Sequence, residues 1–206
     1  MKKGIFITGI ISPVIYVLYV IIGGLLWKGY SQIKQPISDL SASGAPKLGI
    51  LNGFCSLSQI LGLIFAISAF IYVKKLNIKS LNISMLLLLA EAIISLSYAF
   101  FPEDIRGTAL TFTGIMHFVI TGLIVPIVIL MPLFAGLSFR KFDGYVRFSN
   151  YSIFTSIIIF VSGILSIVVM ANNLPFFGVV ERINIGALQL WIFSFAVVLL
   201  NIKIEY

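Results

Sequence analysis

Six apolar runs, at residues 5–27, 48–73, 81–101, 108–134, 151–171 and 184–202, limit what this chain can fold into. Each is about 20 residues or longer, the length a helix needs to cross a hydrocarbon core roughly 30 Å thick. A helix satisfies its own backbone hydrogen bonds in lipid, which an open sheet edge does not. The alternation over ~10 residues that marks a barrel strand is absent. Only 10% of the residues are charged, against roughly 25% in soluble domains. The expected fold class is all-α, a polytopic transmembrane bundle of six helices. Residues 1–206 are expected to form a single integral membrane domain whose first partner is the lipid bilayer.

Six spans put both termini on one side. That side carries Lys2, Lys3, Lys74, Lys75, Lys79, Arg140, Lys141, Arg147 and Lys203. The other carries Lys28, Lys34, Lys47, Arg106 and Arg182, together with Asp39, Glu103, Asp104 and Glu181. Basic residues concentrate in cytoplasmic loops, so cytoplasmic termini in a cell membrane are expected. The net charge of +7 then reads as topology and contact with anionic lipid, not as a nucleic-acid surface. Run 5–27 ends in Trp27-Lys28-Gly29-Tyr30 with no small-residue cleavage site, so a retained span is expected rather than a signal peptide.

Phe139, Phe142 and Val146 fall at helical spacing among basic residues, which suggests an interfacial amphipathic segment or an aromatic belt with charge anchors. Ser58, Gly62 and Ala66, and the pairs Ser152/Ser156 and Ser162/Ser166, form small-residue ridges suited to close helix packing. Cys55 reads as a small packing residue.

Two ionisable residues stand inside apolar runs. Glu91 and the only histidine, His117, each lie ten residues from the polar connection 102–107. At 1.5 Å per residue that is about 15 Å, which places both near the midplane on neighbouring antiparallel helices. Groups of this kind mark functional sites by default. Residues three, four and seven apart share a helix face. Ser84, Ser95 and Tyr98 accompany Glu91, Thr113 and Thr121 accompany His117, and Asn52, Ser56 and Gln59 make a third stripe. A polar pocket between helices two, three and four is therefore expected, opening away from the termini and roofed by Asp39, Glu103, Asp104 and Arg106. Its ligand-binding candidates are Ser38, Asp39, Asn52, Gln59, Glu91, Ser95, Tyr98, Asp104, Arg106, Thr113 and His117. The candidate proton-transfer groups are His117, Glu91, Asp104 and Asp39. Burial disfavours the charged form of each group, whereas contact between a carboxylate and an imidazolium favours it.

A zinc site needs three or four ligands, and one histidine with one remote cysteine does not supply them. No Gly-rich phosphate loop, CxxC or HExxH occurs. No metal and no cofactor are expected. A serine nucleophile served by His117 stays open, since no serine is singled out.

The series Ile37-Ser38-Asp39-Leu40 with Gly44 and Pro46, then Phe101-Pro102-Glu103-Asp104 with Gly114 and His117, resembles the family catalogued as domain of unknown function 998. The resemblance covers nearly the whole chain. It implies six spans, an outer loop after the first, and a turn leading to a histidine in the fourth. Ser38, Asp39, Pro102, Asp104 and His117 would be its signature residues. Ser41 stands where a glycine is expected, and Glu103 where a cysteine is. No activity follows from the resemblance.

Three functions fit the residues. One is a binding or transport-like module for a small molecule, lipid or proton, for which a chain of this size is expected to form a homo-oligomer. Another is a membrane-embedded enzyme acting on a lipid-type substrate, with His117 and an acid moving protons. The third is a structural or regulatory subunit in which Glu91 and His117 only hold helices together.

Overall fold

A computed structural model describes residues 3–76, 78–105 and 107–202. Six helices follow in order: α1 Thr8–Leu26, α2 Leu48–Leu76, α3 Lys79–Ser95, α4 Phe112–Phe139, α5 Val146–Ala171 and α6 Phe177–Asn201. A short 3-10 turn, Lys3–Ile7, leads into α1, and another, Leu96–Ala99, continues α3. All six helical segments are long and apolar enough to cross a membrane. The protein is a multi-pass membrane protein. Each helix packs on the next, and α6 closes the ring on α1. Both termini share one end, where Lys3 Nζ donates to Ile202 O at 2.7 Å. The opposite end, here the far end, carries the segments 27–47, 96–111 and 172–176.

Helix association in lipid gains little from hydrophobicity, since acyl chains are as apolar as leucine; it depends on close packing and on polar bonds between helices. The serines supply these. Ser12 and Ser58 exchange bonds to each other's carbonyls at 2.9 Å between α1 and α2. Ser84 donates to Met131 O, Ser156 to Ile129 O and Ser149 to Gly136 O, each at 2.7 Å. Trp191 Nε1 donates to Ser152 Oγ at 2.9 Å. The ridge residues Ser58, Ala66, Ser152, Ser156 and Ser162 are buried within the bundle.

The larger core fills the middle and terminal half. Phe6, Phe65, Phe139, Trp191 and Phe195 are completely buried there. Of the residues read as an interfacial segment, Phe139 joins this core, while Phe142 is half-buried and Val146 is exposed. Phe139 meets Phe148 edge-on at 5.2 Å across the corner between α4 and α5.

Two helix starts differ from the apolar runs. The fourth begins at Phe112 rather than 108, because Thr111 is its N-cap and Thr108 is spent bonding Ile105 O in the preceding turn. The sixth begins at Phe177 rather than 184, taking in Glu181 and Arg182, whose charges are met by the far-end loop.

Candidate functional site

The loop between α1 and α2 does not float above the bundle. Its 3-10 turn Ser38–Ser41 carries Asp39 and Leu40, both buried. Leu40 drops against Gly23 of α1, where a Cβ would come within 2.9 Å of Leu40 Cδ1. Ile37, Leu40, Tyr19 and Leu51 form a second, smaller core that plugs the far mouth between α1, α2 and α6. Helix α6 holds the plug in place. The Ile37 N–H donates to the Glu181 carboxylate, and Val179 N donates to Ile33 O at 3.2 Å. Arg182 donates to Gln32 Oε1 (2.7 Å), Gln35 O (2.8 Å) and the Tyr30 hydroxyl (2.7 Å). Tyr30 in turn donates to Pro36 O at 2.6 Å. Burial pushes the Tyr30 hydroxyl up to about 12 despite the adjacent guanidinium. It therefore stays neutral and can keep both bonds.

The second far-end segment makes a clasp at the start of α4. Asp104 accepts from Thr111 N and Thr111 Oγ1, both at 2.7 Å. Thr111 Oγ1 in turn accepts from Gly114 N at 3.3 Å. A carboxylate at a helix N-terminus is also favoured by the helix dipole. A Cβ at position 114 would overlap the Asp104 carboxylate, so the clasp requires glycine there. One turn on, His117 Nδ1 lies 3.0 Å from Phe101 O. A carbonyl only accepts, so in the neutral ring Nδ1 carries the proton and Nε2 is left as an acceptor. The residues Phe101, Asp104, Gly114 and His117 thus act together, as one N-terminal clasp.

Tyr98 packs on His117 with ring centroids 4.7 Å apart, and its hydroxyl pairs with Thr121 Oγ1 at 2.9 Å. The acids Asp39, Glu103 and Asp104 of the far-end segments and Glu181 of the first turns of α6 stand at the far end. One of them, Glu103, has a buried Oε2 with no hydrogen-bond partner among the described residues.

The expected common depth of Glu91 and His117 is corrected here. His117 is five residues into α4, roughly 7 Å below its start. Glu91 precedes Tyr98, the residue that touches His117, by seven residues, which sets it roughly 10 Å deeper. No hydrogen bond or ion pair joins the two. Glu91, partly accessible, has no such partner among the described residues at all. It shares its face with the buried Ser84 and Leu88, so it points into the bundle rather than along the lipid-facing stripe of Ile83, Leu86 and Ile93.

The remaining sequence candidates divide. Gln59 Nε2 donates to Ser95 O at 2.9 Å, tying α2 to α3, and Ser95 Oγ turns back to Ala92 O. Thr113 pairs with Thr111 at 2.7 Å beside the clasp. Ser38 accepts from Ser41 Oγ within its own turn. Asp39 accepts from Gln35 Nε2 at 3.2 Å. Asn52 is exposed on α2 and stands apart from the others. Arg106 lies outside the described residues. A cavity of about 240 Å³ lies between the two far-end segments, lined by Trp27, Gln35, Asp39, Ala42, Gly44, Ala45 and Ile105. It sits at the roof and not between helices two to four. Among the described residues, no group of three or more histidine, cysteine or acidic side chains could hold a metal.

Sequence reasoning missed Glu181, Arg182, Trp27 and Gln35. A visible signal was the adjacent acid and base at 181–182, placed outside the sixth run because charge was read as loop.

The sequence matches the family described as "Protein of unknown function (DUF998)" over residues 10–198. No curated protein and no solved structure matches it.

Proposed function

We propose a function from the geometry of the far half, because the chain belongs to the DUF998 family and that family's description assigns no activity. We place the protein in the plasma membrane with both termini cytoplasmic, in keeping with nine basic residues on the terminal side against five on the other. The far half then faces out of the cell and serves as a binding site for a proton or a small protonated molecule. Glu91 carries this reading: a carboxyl group inside a membrane-spanning helix, pointing inward, with no partner among the described residues. An ionisable group kept at that depth without a partner is costly. Tyr98, seven residues on along the same face, supplies an aromatic ring towards the far end.

The test is infrared difference spectroscopy on the purified protein in nanodiscs. As pH falls, a protonated-carboxyl band should grow in the wild type and be missing in Glu91→Gln. If Glu91→Gln keeps every titrating band of the wild type, Glu91 is not the site.

The fixed tautomer of His117 favours a second reading, an enzyme acting on a lipid-type substrate with Nε2 as proton acceptor. A changed cellular lipid profile with His117→Ala, but not with Glu91→Gln, would favour it over the binding reading.

A further inference from the structure

A groove of about 380 Å³ opens at the terminal end between the first turns of α5 and the last turns of α6. Its walls are apolar, formed by Phe148, Phe193, Val197 and Val198. Its polar members are Arg147, Tyr151 and Ser194. Ser194 is already spent on Leu190 O. The other two are not. Arg147 is exposed at the groove and makes no hydrogen bond or ion pair to a described residue. The Tyr151 hydroxyl is buried and has no partner among the described residues. Arg182, at the far end, instead directs its guanidinium to neighbours within the protein.

A guanidinium presents a planar fork of donors that matches a phosphate's oxygens, which is why arginine recurs at phosphate sites. Here the fork stands at the membrane-surface end of an apolar groove running into the bilayer. We propose that this groove binds one anionic phospholipid of the leaflet on the terminal side, with its phosphate on Arg147 and an acyl chain along Phe193, Val197 and Val198. The charge of Arg147 selects an anionic head, and the wall below it selects a chain. Lys74, Lys75, Lys79, Arg140 and Lys141 crowd the same end of the protein and raise the local concentration of anionic lipid. This groove is built by α5 and α6 and the Glu91 site lies on α3, so failure of one leaves the other standing.

Delipidated protein would be titrated with phosphatidylglycerol and, separately, with phosphatidylcholine of the same chains, and bound lipid counted by native mass spectrometry. The wild type should retain one phosphatidylglycerol about tenfold more tightly than phosphatidylcholine, whose choline cation repels Arg147 and weakens the phosphate contact that both lipids can make. Arg147→Gln should erase the preference. Val197→Trp, which fills the groove, should lower affinity for both lipids. Arg140→Gln, a basic residue of the same end outside the groove wall, should lower the preference by much less than Arg147→Gln does. Equal retention of the two lipids by the wild type overturns the proposal. So does a preference that survives Arg147→Gln, or one that Arg140→Gln lowers as much. Thermal unfolding of each variant separates loss of fold from loss of lipid. If Arg147→Gln fails to fold, Val197→Trp decides alone, and unchanged retention by it overturns the proposal.

Discussion

Replacing Trp191 with alanine should lower the unfolding free energy by about 3–5 kcal/mol, the range for removing a large buried aromatic. Trp191 is completely buried where α5, α6 and the aromatic core meet. It stacks on Phe195 with centroids 5.1 Å apart and rings 5° from parallel, and Phe195 in turn contacts Phe65, Phe139 and Phe148. In lipid the loss is one of packing: no hydrophobic transfer term compensates for contacts that have no atoms to replace them. The indole N–H also satisfies Ser152, which is fully buried. Trp191→Phe keeps much of the ring packing and loses the hydrogen bond, so about 1 kcal/mol is expected for it. Reversible unfolding in mixed micelles reads both. A Trp191→Ala protein within about 1 kcal/mol of wild type, below the range for large core truncations, would show that the aromatic cluster does not hold the bundle together.

Arg182→Met should open the far-end plug, at a local cost of about 2–4 kcal/mol if one or two charge-assisted bonds are lost net of solvation. Its guanidinium bonds Gln32, Gln35 O, Gly178 O and Tyr30, and sits 5.6 Å over the Tyr30 ring. Methionine keeps the stem's packing and removes every donor. Limited proteolysis should then cut within residues 28–47 much faster than in the wild type, while the helices stay intact. Arg182→Lys should restore part of the resistance, since an ammonium keeps the charge without the fork. The Tyr30 contribution has a pH sign. Its hydroxyl is raised in the fold to about 12, from an ordinary value of about 10. The stabilisation is complete below about pH 10 and is lost as pH rises towards 12. Equal cleavage rates in wild type and Arg182→Met would mean that the loop is held by its apolar contacts alone.

The six spans were legible because twenty apolar residues have few soluble alternatives. The parts that were not legible depend on contacts distant in sequence. Nothing near Ile37 announces that its N–H will meet Glu181, or that Arg182 will reach back to Tyr30. Charge at 181–182 therefore looked like loop, when a folded-in loop was there to neutralise it within a helix. His117 was assigned the midplane because Thr108 looked like the start of a helix. The Asp104–Thr111 clasp moves that start to Phe112 and brings the histidine nearer the far surface. Several polar stripes were legible as faces but not as roles. Ser84 and Gln59 use their groups on neighbouring helices, and Glu91 is the member left without a bond. The motif residues Asp104, Gly114 and His117 acquire a physical reason only when the carboxylate is seen lying where a side chain at 114 would be.

Whether the far half is reached from outside the cell can be measured on one engineered cysteine. In a Cys55→Ser background, Glu91→Cys would be exposed to a small membrane-impermeant thiol reagent in intact cells, then again after permeabilisation. Labelling in intact cells, blocked by prior treatment with a second impermeant thiol reagent, is expected of a site that opens at the far end. No labelling until the cytoplasmic side is exposed, or none at all, would contradict a far-side site at Glu91.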